Sequence, residues 1–234
     1  MICGQIVVEQ RGNSMIKILT IEREYGSGAA EIARKLAERL GWKLWDQSLT
    51  DEIARHMACD PEEIERRGER IDPLYYRLLK SFLRGSFEGN LNIPQMQMAD
   101  AEGIRRVAEQ LVRAAADEGN AVIVGRGSAY YLRDRTDSFH VFVYAPFEER
   151  VRRLQQAGKS ENEAIKLAET VDRDRADFIK QYFGIEWPAR HFFHLMINST
   201  MGDKTVVQMV LDGLSAIQKG TLSPTGEIVP DQGT

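Results

Sequence analysis

The chain has 234 residues, enough for one large domain or a domain with an inserted subdomain, and 43% of them are hydrophobic, enough for a well-buried core. Its net charge of −4 speaks against nonspecific nucleic-acid binding, which leaves a basic imprint, while leaving room for a local cationic pocket. No apolar run approaches the roughly 18 to 20 residues needed to span a bilayer, so neither a membrane nor a nucleic-acid partner is expected.

The two cysteines, Cys3 and Cys59, lack metal-like spacing and fit a reduced, cytoplasmic setting. Residues 1–14 have no basic start followed by an apolar core, so they read as a flexible extension rather than a signal peptide. An upstream start codon would account for them, since Met15 directly precedes the first strand. MIKILTIE (15–22) reads as a buried strand, and Ala29 to Leu40 as a helix with Ile32, Ala33, Leu36, Ala37 and Leu40 on one face and Gly41 as its stop. WKLWD (42–46) is a short strand ending in an acid. Residues 48–100 form a charged, mostly helical excursion, with helix starts at Asp60-Pro61 and near Asp72-Pro73 and a loop over 84–98. A helix follows from about Asp100 to Glu118.

AVIVG (121–125) and FHVFVYA (139–145) are continuous apolar runs, the mark of strands covered on both faces. Pro146 opens a helix to about Ala157, Glu161 to Phe183 is one more helix or two, FHLMINS (193–199) a last strand, and Thr205 to Gln218 a final helix. Residues 220–234 are polar and read as a flexible tail. Five strands alternating with helices predict a three-layer α/β domain over 15–219, a parallel sheet with helices on both faces. Ligands on such sheets bind at the carboxyl ends of the strands, which here carry Glu22-Arg23, Asp46, Gly125-Arg126-Gly127 and Ala145-Pro146. Two arginines and an acid at one rim suit an anionic ligand.

Between the first strand and the first helix lies Gly26-Ser27-Gly28, the layout of a phosphate-binding loop, in which main-chain N–H groups and a helix start surround an anion. Against the pattern G-x-x-x-x-G-K-[ST], Gly28 fills the second glycine position, while Ala29 replaces the lysine, Ala30 the hydroxyl residue and Arg23 the first glycine. By spacing alone a structural turn and a phosphate loop are equally open. Arg23 is read as a planar clamp reaching into the turn, the alternative being an ion pair with a neighbouring acid.

TIEREYGSGAAEIARKLAERLGWKLWDQ, AVIVGRGSAYYL, HVFVYAPFEERVRRL and DRDRADFIKQYFGIEWPARHFFHLMINST together resemble the cytidylate kinase-like family, a divergent branch of the nucleoside monophosphate kinases, from Met15 to about Leu214. The resemblance implies an adenylate-kinase-like P-loop fold with a helical monophosphate-binding insertion at 48–100 and a lid at about 157–185. It implies phosphoryl transfer from ATP, with Mg²⁺, to CMP or a related small-molecule nucleotide. By position, Tyr25, Gly26, Ser27 and Gly28 with Arg23 fall on the donor side, and Asp46, Gln47, Gly125, Arg126, Asp172 and Arg175 on the acceptor side. Arg173 and Arg175, with Arg23, are the candidate catalytic cations; no metal ligand is assigned.

Two departures bear on catalysis. The family commonly has G-S-G-G-[RK]-E in the turn, where this chain has Ala29-Ala30, and cytidylate kinases proper have an arginine where Val171 stands. Phosphoryl transfer relies on cations neutralising the migrating group, and each ~1.4 kcal/mol of barrier is tenfold in rate. A catalytically weak nucleotide-binding sensor is therefore the second reading. Glu31 could serve magnesium, although favouring the helix start is preferred. His191 and His194 are read as packing or surface residues rather than a metal pair, and Trp187 with Tyr182, Phe183, Phe192 and Phe193 as closing the core near the last strand.

Overall fold

The computed structural model describes residues 15–46, 49 and 101–218. Strand β1 (Ile18–Arg23) is buried along its whole length, as an apolar strand covered on both faces must be. It leads into α1 (Ala29–Leu40), which presents Ile32, Ala33 and Leu36 to the core and stops at Gly41, whose left-handed φ of 65° lets its N–H return to the Ala37 and Glu38 carbonyls. Then come β2 (Lys43–Trp45), α2 (Ala101–Glu118), β3 (Ala121–Val124), a one-turn α3 (Ser128–Tyr131) and β4 (Ser138–Tyr144). The chain ends in α4 (Phe147–Gln156), α5 (Glu161–Phe183), β5 (Leu195–Asn198) and α6 (Asp203–Gln218), with short 3-10 turns at Arg190–Phe192 and Ser199–Met201.

The five strands form one parallel sheet in the order β2-β3-β1-β4-β5. Strand pleat sends alternate residues to opposite layers. On one face Ile18, Ile123 and Tyr130 pack against Val112 and Ala115 of α2 and Phe178 and Ile179 of α5. On the other, Leu19, Ile21, Val122 and Val141 meet Ile32 and Leu36 of α1 and Val206 and Val210 of α6. A smaller cluster of Tyr25, Leu154, Ala164, Ala168 and Val171 ties α4 and α5 to the turn after β1. The three-layer α/β fold and its five strands are as the sequence predicts.

The stretch from Glu161 to Phe183 is a single helix, capped by the Ser160 hydroxyl, which accepts the Glu163 N–H. It occupies most of the region assigned to a lid, and α4 reaches it through residues 157–160 alone. The sequence reading missed α3, whose four residues are too few for an amphipathic period. The extension at 1–14, the excursion at 48–100 apart from Leu49, both cysteines and the tail at 220–234 lie outside the described residues. Among the described residues no helix is long and apolar enough to cross a membrane.

Candidate active site

β1 lies at the point where strand order reverses, with β3 on one side and β4 on the other, so the crevice beyond its carboxyl end is where this sheet type receives ligands. The turn there has Gly26 and Gly28 at φ 81° and 78°, and Gly28 caps α1. Side chains at these positions would be strained and crowded. A Cβ on Gly26 would sit 3.1 Å from the Arg150 main-chain oxygen, and one on Gly28 would sit 3.0 Å from Arg153 Nη1. The first N–H groups of α1 have no partner within the helix, so they can face an anion in front of the turn.

The expected lysine has no direct substitute, but two arginines of α4 bind the same loop. Arg153 Nη1 donates to Ser27 O (2.5 Å) and Ser199 Oγ (2.8 Å), and its Nε donates to Glu149 (2.8 Å). The Ser199 hydroxyl also donates to Ser27 O, at 2.6 Å. Arg150 Nη1 donates to Tyr25 O (3.2 Å), Ala168 O (3.3 Å) and Asp172 Oδ2 (2.7 Å). Sequence reasoning gave neither a role, quoting them only within HVFVYAPFEERVRRL; their spacing of three, which puts both on one side of α4, was the available signal.

Asp172 accepts the Tyr25 N–H at 2.9 and 3.2 Å and the Arg175 guanidinium at 3.0 Å. Burial pushes its carboxyl up from the ordinary range, opposed by Arg175 and Arg150. Through Tyr25 it also braces α5 against the turn. Tyr25 follows the same pattern, its ring packed in the cluster beneath the loop. Arg175 Nη1 also donates to Arg23 O (3.0 Å), linking the brace to the end of β1.

Arg23 ends β1. Its guanidinium lies against the backbone of Gly125, where a Cβ would fall 1.7 Å from Nη1, on the side of Arg126 and Arg175 rather than among the loop amides. β3 is the hydrogen-bonded neighbour of β1, and glycine at 125 leaves room for the long side chain from position 23. Burial, then Arg175 and Arg126, holds the Arg23 pKa down to about 9. Its Nε and Nη2 have no hydrogen-bond partner among the described residues.

Arg126 is reached through Gly125, Arg126 and Gly127 at φ 64°, 58° and 68°, a left-handed run that is costly for the arginine. Its side chain is fully buried and meets Asp46, with Nη1 3.5 Å from Oδ1 and Nη2 donating to Asp46 O at 3.1 Å. Glu22, Arg23, Arg126, Gly127, Arg175, Phe178, Ile179 and Trp187 line a cavity of about 20 Å³. Burial raises the Glu22 carboxyl, while Arg23, Arg175 and Arg126 oppose that rise. Gln47 lies outside the described residues. Arg173 is exposed: residues 172 and 175 share the inner face of α5, and 173 is turned about 100° away.

Among the described residues no cluster of His, Cys, Asp and Glu could hold a metal ion. Glu31 is committed to Arg34 (2.6 Å) and Lys35 (3.2 Å), which hold its carboxyl down to about 2. Ala30 offers no hydroxyl, so the described loop is no ready-made magnesium cage. His191 stacks on Phe192, and His194 on Phe139 and His140, so both serve packing. Trp187 packs edge-on against Phe142.

The strand order and the glycine turn at the end of the central strand define a P-loop kinase fold. Residues 18–201, well over half the chain, match the cytidylate kinase-like family, and the chain belongs to that family. Among solved structures, an uncharacterized protein from Eubacterium ventriosum ATCC 27560 is similar at a TM-score of 0.61 and 19% identity, over 86% of this chain and 99% of that one. A gluconokinase from Sinorhizobium meliloti 1021 is similar at 0.50 and 14%, over 88% and 96%. A shikimate kinase from Acinetobacter baumannii in complex with shikimate scores 0.49 at 16%, over 87% and 95%. At these identities the likeness is one of fold. No curated protein matches the chain.

Proposed function

We propose that this protein is a nucleotide-dependent phosphotransferase that moves the γ-phosphoryl group of ATP to CMP or a related small acceptor. One observation carries this reading: a glycine turn that opens a helix and a buried arginine cluster share the carboxyl edge of one parallel sheet. The turn and the start of α1 suit the donor's phosphates, and Asp46 with Arg126 and Arg175 suits the acceptor. In the transfer, an oxygen of the acceptor's phosphate bonds to the γ-phosphorus as the bond to the β–γ bridging oxygen breaks, and ADP leaves with that electron pair. The attacking oxygen is already anionic, so no general base is required and positioning and charge dominate. Arg150 and Arg153 supply positive charge at the loop and fix its shape. Family resemblance implies Mg²⁺, which neutralises charge on the phosphates; in this chain it would arrive on the donor.

The second reading, a nucleotide-binding sensor of weak activity, is favoured by Ala29 and Ala30 and by the engagement of Arg153 with Ser27 and Ser199. A thermal-shift panel of nucleoside mono- and triphosphates with magnesium, followed by a coupled assay for ADP, separates the two. The enzyme shows magnesium-dependent turnover with CMP or a neighbour. The sensor shows shifts without ADP, and a chain that shifts with no nucleotide sinks both.

A further inference from the structure

The peptide between Ser27 and Gly28 is clasped on one side. Its carbonyl, Ser27 O, accepts the Ser199 hydroxyl at 2.6 Å and Arg153 Nη1 at 2.5 Å, and Arg153 Nη1 also donates to Ser199 Oγ at 2.8 Å. The Ser27 N–H donates to Glu24 O at 3.3 Å, while the Ser27 hydroxyl, though buried, has no hydrogen-bond partner among the described residues. Ser27 is therefore fixed through its main chain. The peptide is trans, so the Gly28 N–H points opposite to the clasped carbonyl, away from Ser199. Ser199 is fully buried at the end of β5 and carries no charge.

We infer that Ser199 is a positioning residue for the donor loop: its hydroxyl locks the Ser27–Gly28 peptide so that the N–H, and not the carbonyl, faces the donor's phosphates. This rests on the phosphotransferase reading and deepens its donor side. Gly28 sits at φ 78° and, having no Cβ, takes negative φ about as readily, so the peptide before it can flip at little steric cost. A flip would put an acceptor oxygen where an anion needs a donor. With Ala29 in the position of the usual lysine, the direction of the loop amides carries more of the recognition. Arg153 holds the same carbonyl but also brings charge, so removing it mixes two effects. Ser199 acts through geometry alone.

The full chain, Ser199→Ala and Ser199→Thr are titrated with ATP–magnesium, inorganic tripolyphosphate and CMP by calorimetry, and the Gly28 amide is followed by NMR. Ser199→Ala should weaken ATP and tripolyphosphate alike, by about fivefold, the size of one lost hydrogen bond. Its CMP affinity should stay at the parental value, and in a coupled assay its ATP KM should rise while its CMP KM does not. Ser199→Thr keeps the hydroxyl and should restore parental affinity for both polyphosphates. The Gly28 amide signal should move on adding tripolyphosphate in the parent and in Ser199→Thr, and move less in Ser199→Ala.

Unchanged ATP and tripolyphosphate affinity in Ser199→Ala overturns the assignment. Equal weakening of CMP does so too, since it marks a general loss of structure, as does a folded Ser199→Thr that binds no better than Ser199→Ala. If Ser199→Ala does not fold, the parent decides: a Gly28 amide that tripolyphosphate leaves unmoved refutes the lock. Turnover with an unchanged ATP KM in Ser199→Ala sinks the lock and keeps the kinase. ATP binding that depends on the Ser199 hydroxyl, without ADP formation, sinks the kinase and keeps the lock.

Discussion

Each buried charged or titratable side chain here has a neighbourhood that sets its protonation. His140, in the middle of β4, places Nδ1 2.7 Å from the Thr20 hydroxyl, and its main-chain N–H donates to His194 Nδ1. Burial, and then His194, holds its pKa down to about 3. Below the ordinary histidine pKa of about 6.5 the unfolded chain therefore binds a proton that the folded chain refuses. The stability involved is complete above that value and declines toward pH 3, by up to about 1.4 kcal/mol per pH unit. Urea midpoints measured at about pH 7.5 and about pH 5 should converge in His140→Gln relative to the parent. Equal losses in both chains would show that another group controls the acid limb. The same neighbourhoods explain which site residues were legible. Gly26, Gly28 and Arg126 announce themselves by backbone demand and by position at a strand end. Arg23 gave its position but not its direction, because Gly125, 102 residues later in the chain, decides where its guanidinium goes.

At the scale of elements, α5 is held to the phosphate loop through one carboxylate. Asp172 meets the Tyr25 N–H, Arg150 of α4 and Arg175 of its own helix, so three segments converge on two oxygens. Asp172→Asn removes the charge and leaves two part-buried guanidinia facing each other. The expected cost is roughly 3 kcal/mol of stability, typical of breaking one side of a buried ionic network. Denaturant titration measures it, and nucleotide titration should show a weakened ATP response because the loop loses its brace. A variant as stable as the parent would mean that Asp172 is solvated and the brace ineffective. The helical character of Glu161 to Phe183 was visible in the sequence, though not whether it was one helix or two. The inward position of its Asp172 and Arg175 came from the family resemblance alone, since alternating acids and bases on a helix ordinarily face water.

In the whole molecule the sheet places the two halves of the candidate chemistry on either side of β1, the loop toward α4 and the arginine cluster toward β3. Ligands on separate halves should stabilise the fold together, each adding about 2.7 kcal/mol at roughly 100 times its dissociation constant. Melting curves with an ATP analogue, with CMP and with both should show the joint shift exceeding either alone. A joint shift no larger than the greater single one would place both ligands on one subsite. The sequence by itself determined the order of strands and helices, the buried central strand, the helix caps and the glycine turn, because periodicity, glycine φ and capping are local properties of the chain. Only the tertiary structure decided that Arg153 and Ser199 clasp the loop, that Asp172 braces it and that Arg23 turns toward Arg126. Those contacts join residues far apart in the chain, and their partners are selected by which strands lie side by side.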